Sequence, residues 1–294
     1  MADSRLSVWI LASRPKTLWA AVSPVIVGTA MAYADHGGHW LAALAAFFGA
    51  VMIQIGTNFA NDYYDFHKGS DSHDRLGPTR VTHAGLVTLP AMRRAIVSAF
   101  GLAFLAGIYL VYRGGWPIVI IGLASILFGI LYTGGPCPLG YNGLGDIFVL
   151  IFFGPIAVAG TYYVQALHVT DIVILAGLAP GLFSVAILTV NNLRDIDSDK
   201  RAGKRTLPAR FGRTFARGEY LFCVFVGSLL PVLLVVLSTD RVYGLMACFT
   251  IFLAVPTIRT VLTDTNGPSL NEALAGTGRI LLVYSILFSI GWLL

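Results

Sequence analysis

Nine long apolar stretches leave little of this chain for anything else. They cover residues 17–34, 41–60, 95–112, 116–133, 147–167, 172–190, 220–238, 242–258 and 280–294, each close to the roughly 20 residues that cross a hydrocarbon core as a helix. The stretches are rich in Gly and Ala and show no sustained alternation of period two, so they read as helices and not as barrel strands. Lipid offers a backbone N–H no partner, so each must satisfy its own hydrogen bonds. The expected fold is an all-α membrane protein, a bundle of about nine transmembrane helices forming one domain over 1–294. Composition agrees, with 12% charged residues where a soluble domain carries about 25%.

The first stretch has some marks of a signal peptide. Arg5, Arg14 and Lys16 precede it, and Ala30-Met31-Ala32 and Ala32-Tyr33-Ala34 are cleavage-like triplets. Its apolar region is longer than the usual one and holds Pro24 and Gly28, so it is read as a retained helix. Cys137, Cys223 and Cys248 lack the spacing of a disulfide framework or a metal site. Under nine spans, every Lys and Arg except Arg113 and Arg241 falls on one side. The positive-inside rule makes that side cytoplasmic, with the N-terminus inside and the C-terminus outside. No basic stretch interleaved with aromatics marks a soluble module, so the expected partner is the lipid bilayer and not nucleic acid.

The two longest cytoplasmic loops each open on acids: NDYYDFHKGSD at 61–71 and RDIDSDKRAGKRT at 194–206. If the preceding helices continue, Asn58, Asp62 and Asp65 share one face, and so do Asn191, Asp195 and Asp199. Bases follow both clusters, Lys68, Arg75 and Arg80 in one and Lys200, Arg201, Lys204 and Arg205 in the other. The repetition implies two related halves, with clusters at 58–71 and 191–199. A single Asp at the solvated end of a span is commonly a loop residue or a cap. Two matched clusters on one side read instead as a site, because like charges converging there call for a cation. Oxygen-only donors suit Mg²⁺, which is typically held by one or two carboxylates plus substrate phosphates, and the bases suit a diphosphate.

Other features carry less. Gly203-Lys204-Arg205-Thr206 fails as a phosphate loop, since Ser198 stands at the first required Gly and Arg205 at the hydroxyl position. His67, His73 and His83 lack ligand spacing and read as solvated; Gly177 to Gly181 reads as helix packing. An ion-coupled transporter is the rival from another class, but transporters place their acids near the midplane, whereas these lie at span ends.

The two acidic motifs together resemble those of the intramembrane aromatic prenyltransferases, a family of nine-helix proteins. Within it, SRPKTLWAAVSPVIVGTA at 13–30, DRLGPTRVTHAGLV at 74–87 and YTGGPCPLGYNGLGD at 132–146 look like the branch acting on 1,4-dihydroxy-2-naphthoate in menaquinone biosynthesis. The resemblance implies an enzyme of the bacterial cytoplasmic membrane, its site facing the cytoplasm, that transfers a polyprenyl group from its diphosphate to this acceptor with loss of the ring carboxylate. It implies Mg²⁺ on Asp62, Asp65, Asp71, Asp195 and Asp199, the four other than Asp71 also being catalytic, and substrate contacts from Asn58, Lys68, Arg80, Asn191, Arg194 and Lys204. The family pattern NDxxDxxxD is not fully kept: Gly69 stands at its third acid, and Asp71 is the next one. Phytyl transfer in phylloquinone biosynthesis is the nearer alternative.

Two local readings complete the site. Tyr63, Tyr64, Tyr132 and Tyr141 are the aromatics close enough to shield an allylic cation, although interfacial packing also accounts for them. The segment 133–145 has no base, unlike the 4-hydroxybenzoate branch, and its five glycines either let a flat ring approach or make a tight turn. Prenyl length and oligomeric state are not legible.

Overall fold

A computed structural model of the chain describes residues 5–69, 77, 79–238 and 240–294. These residues contain no strand. Their helices are α1 (Arg5–Ser13), α2 (Pro15–Ala34), α3 (Trp40–His67), α4 (Leu89–Gly114), α5 (Trp116–Leu131), α6 (Gly145–Phe152), α7 (Pro155–Ala166), α8 (Asp171–Arg194), α9 (Ile196–Arg201), α10 (Leu207–Ser238), α11 (Thr250–Thr263) and α12 (Gly267–Leu293). Among the described residues, eight helical segments are long and apolar enough to cross a membrane, α6 with α7 and Val242–Phe249 with α11 each forming one of them. The shorter apolar α5 is the ninth. Each predicted span falls on one of these segments.

The helices outrun the spans at their polar ends. α3 continues past residue 60 to His67, and α12 begins at Gly267 instead of 280. Apolar counting reads the part inside hydrocarbon, whereas the helical hydrogen bonds continue into the interface. α8 stops at Arg194, and Asp195 (φ −96°, ψ 8°) joins it to α9. The stripe expected from one continuous helix is thus carried over a break.

α2, α8 and α12 form the centre. α12 packs on both α2 and α8, and α8 also packs on α10. α3 and α4 pair beside them, and α4 turns side chains such as Val97, Leu105 and Tyr112 outward, as a lipid-facing helix does. With no hydrophobic drive between helices in lipid, close backbone approach stabilises contacts. The predicted span 147–167 breaks at Gly154, just ahead of Pro155 at the start of α7, and the backbones come close there. A Cβ on Gly154 would lie 2.7 Å from the Gly177 carbonyl oxygen, and one on Gly177 would lie 2.6 Å from Pro155 Cα. Gly177 and Gly181 are packing residues, as expected.

Arg113 and Arg241, the two bases off the positive side, both close helix ends. Arg113 donates to the carbonyls of Val164 (2.6 Å) and Gln165 (2.9 Å) at the end of α7. Arg241 donates to Trp292 O and Ala34 O, both at 3.1 Å, at the ends of α12 and α2. Terminal carbonyls lack intrahelical donors and attract cations, which gives both arginines a structural use.

Candidate active site

A cavity of about 630 Å³ opens among α2, α3, α4, α5, α6, α7 and α8. Its larger part is apolar, walled by residues such as Ile108, Ile121, Phe128, Phe148 and Phe152. Phe128 lies 4.7 Å from Phe148 and 5.4 Å from Phe152, centroid to centroid. The other end is polar, where Asn58, Asn61, Asp65, Arg80, Tyr132, Tyr141, Asn191, Asp195, Asp199 and Lys204 meet. Both acid clusters therefore reach one site, from α3 on one side and from the α8–α9 junction on the other.

The acids are buried, which corrects their expected place at a solvated edge. Asp62, Asp65, Asp195 and Asp199 are 3%, 1%, 7% and 7% exposed, because residues 79–87 and 132–145 fold over the helix ends. Asp62 accepts from the Val81 N–H (3.1 Å) and Asp65 pairs with Arg80. Tyr141 donates to Asp65 at 2.6 Å, and the Lys204 ammonium lies 3.5 Å from the same carboxylate. Arg194 forks onto Asp195 with bonds of 2.8 and 2.6 Å while donating to Asn191 and Asn271. Asp199 lies 4.0 Å from Lys204.

The segment after α5 is held over the site from both sides. Lys68 donates to the Thr133 carbonyl at 2.6 Å, and the Arg205 N–H donates to the Tyr141 carbonyl at 2.7 Å. The Tyr141 ring carries Lys68 Nζ 4.8 Å and Lys204 Nζ 4.5 Å from its centroid, distances at which a cation is attracted to the ring face. Burial pushes the Lys68 ammonium below its ordinary pKa; Asp65 opposes this and Lys204 adds to it. The glycines here serve the fold: Cβ atoms on Gly140 and Gly134 would lie 2.9 Å from the rings of Tyr132 and Tyr64. They admit the protein's own tyrosines, the tight-turn alternative.

The candidates divide as follows. Asn58, Asp65, Arg80, Asn191, Asp195, Asp199 and Lys204 line the cavity, with Tyr132 and Tyr141. Asp62, Lys68, Arg194, Tyr63 and Tyr64 stand behind this lining. Asp71 lies outside the described residues. Sequence reasoning missed Asn61, Asn192, Thr133 and Arg14, all in the lining. Asn61 carried a signal, since it stands three residues after Asn58 and four before Asp65 on the same helical face.

Among the described residues, no three His, Cys, Asp or Glu side chains converge closely enough to hold a metal by themselves. The donors are nonetheless all oxygen, buried and set beside bases. That combination fits Mg²⁺ shared with a diphosphate, since this ion takes few carboxylates and completes its shell with phosphate and water.

With the fold and this arrangement established, the model of the UbiA prenyltransferase family matches residues 21–289. The chain belongs to the UbiA prenyltransferase family. It is 39% identical to the 1,4-dihydroxy-2-naphthoate octaprenyltransferase of Escherichia coli (strain K12), covering 98% of this chain and 96% of that protein. It is 37% identical to the enzyme of the same name from Mycobacterium tuberculosis (strain ATCC 25618 / H37Rv), covering 95% and 94%. Among solved UbiA structures, the homolog from Archaeoglobus fulgidus bound to GPP and Mg²⁺ has the same fold, with a TM-score of 0.67 at 14% identity, over 98% of this chain and 99% of that one.

Proposed function

We propose that this UbiA enzyme transfers a polyprenyl group from its diphosphate to 1,4-dihydroxy-2-naphthoate, as a step of menaquinone biosynthesis. The observation that carries this reading is one cavity with two acid clusters and bases at its mouth and an apolar remainder. The names of the relatives support the acceptor. In this reading the enzyme lies in the bacterial cell membrane with its site facing the cytoplasm, which the positive charge of the basic loops supports.

In this reading Asp62, Asp65, Asp195 and Asp199 would hold Mg²⁺. When bound, the ion neutralises the diphosphate and makes it a better leaving group. Arg80 and Lys204 take up charge that develops on the departing oxygens. Asn61 and Asn191 orient the diphosphate and the bond to be broken, and Asn58 holds the corner between α1 and α2. The allylic C–O bond breaks with its electron pair leaving on diphosphate, and ring electrons form the new C–C bond. The ring carboxylate departs as carbon dioxide, leaving its bonding pair to restore the aromatic ring. Tyr132 and Tyr141 present aromatic faces to the allylic cation, and the apolar wall keeps out water that would quench it.

The test is purified protein in lipid nanodiscs with labelled prenyl diphosphate, Mg²⁺, and either 1,4-dihydroxy-2-naphthoate or 4-hydroxybenzoate. The expected result is a prenylated naphthalene product and carbon dioxide, with turnover lost on chelation and restored by Mg²⁺. Equal or faster prenylation of the benzoate overturns the acceptor, and full turnover in chelator overturns the metal-diphosphate reading.

A further inference from the structure

Arg14 counts at first as one more cytoplasmic topology charge. In the structure it lines the cavity, and one of its terminal guanidinium nitrogens is buried, whereas Lys16 two residues on is exposed. Its backbone is left-handed (φ 52°, ψ 67°) at the corner between α1 and α2, a conformation uncommon for any residue with a side chain. The corner is pinned on several sides. Arg14 N–H donates to Leu11 O at 3.2 Å, the Arg14 carbonyl accepts from the Thr17 N–H and hydroxyl, both at 3.0 Å, and Asn58 donates to Ser13 O at 2.9 Å.

The last of these bonds sets a depth. Asn58 precedes Asp65 by two turns of α3, about 10 Å along the helix axis, so the corner meets α3 well inside the line of the carboxylates. The bases nearer the mouth engage those carboxylates, Arg80 and Lys204 on Asp65 and Arg194 on Asp195. Arg14 enters from the α2 side and lines the same cavity as Tyr132. A donor with its diphosphate at the mouth and its tail in the apolar part has its reactive carbon just inside the diphosphate. An acceptor must lie alongside at that depth.

We infer that Arg14 binds the carboxylate of the aromatic acceptor, with the Tyr132 ring beside the acceptor's flat face. This rests on the naphthoate reading above, which supplies an acceptor bearing a carboxylate. A guanidinium matches a carboxylate with two parallel hydrogen bonds, and the apolar walls of the cavity strengthen such a pair. Arg14 would then discriminate between anionic and neutral rings of the same shape.

The experiment compares wild type, Arg14→Asn and Arg14→Lys. Asparagine removes the cation and suits the left-handed backbone, while lysine keeps a charge without the fork. Binding is measured to donor-free protein by calorimetry, with 1,4-dihydroxy-2-naphthoate and with 1,4-naphthalenediol, the same ring lacking the carboxylate; KM for the prenyl diphosphate is measured alongside. The expected result is naphthoate affinity lower by about 10- to 100-fold in Arg14→Asn, an intermediate loss in Arg14→Lys, and diol affinity and donor KM within about twofold of wild type. Equal losses for naphthoate and diol, or a loss confined to the donor, overturn the assignment. Undiminished naphthoate binding by Arg14→Asn overturns it while leaving the acceptor reading intact. A wild type that binds neither ring removes the acceptor reading and this inference with it.

Discussion

Asp65 shows how much one side chain can be asked to do. It is enclosed, paired with Arg80, hydrogen-bonded by Tyr141 and faced by Lys204. Losing one partner of a buried pair costs about 3–5 kcal/mol because the other charge is left in a poor solvent. Asp65→Asn is therefore expected to lower turnover by about 10²–10³-fold and to lower the melting temperature as well. Tyr141→Phe keeps the ring between Lys68 and Lys204 and removes only the hydroxyl, so its expected loss is about tenfold in turnover with little change in melting. Side-by-side rate and melting measurements check this contrast; a Tyr141→Phe variant as inactive as Asp65→Asn would refute it. The acid clusters were legible because helical spacing puts Asn and Asp on one stripe. Their burial was not, since it comes from segments 79–87 and 132–145 that carry no regular period. Arg14 escaped notice because a base beside a membrane span already has a use in setting orientation.

At the scale of elements, the cavity depends on what α4 and α5 leave out. Gly107 and Gly122 line it, and a side chain added at either would meet open space. Gly122→Phe is thus expected to project into the apolar part without disturbing the backbone. Turnover with a long polyprenyl diphosphate should fall about tenfold relative to that with geranyl diphosphate, taking about 1.4 kcal/mol per factor of ten. Competition between the two donors measures it, and an unchanged ratio would place the tail elsewhere. Apolar composition located every membrane element, because a charge-free stretch of this length has few alternatives. It did not reveal the break between α6 and α7, where Gly154 and Pro155 interrupt the helix and Gly154 meets Gly177 across the bundle.

For the whole molecule, the proposed orientation rests on where the bases lie. A reporter fused after Leu294 is expected to read as periplasmic, and a cytoplasmic reading would contradict an odd number of crossings. Arg113 and Arg241 are the informative residues here, since both are held by terminal carbonyls and do not compete with the positive loops.

Arg241 also bears on the order of assembly. Through it the last turn of α2 and the last turn of α12 share one clasp, and the two helices pack along their length. Synthesis delivers α2 long before α12, so the face of α2 that α12 covers must wait in the bilayer until α12 is inserted. Closing the bundle is then a search in the membrane plane between helices inserted far apart in time, the kind of non-local step that slows folding and leaves intermediates open to wrong partners. Arg241, held by the Trp292 and Ala34 carbonyls, is the latch that completes this late pairing.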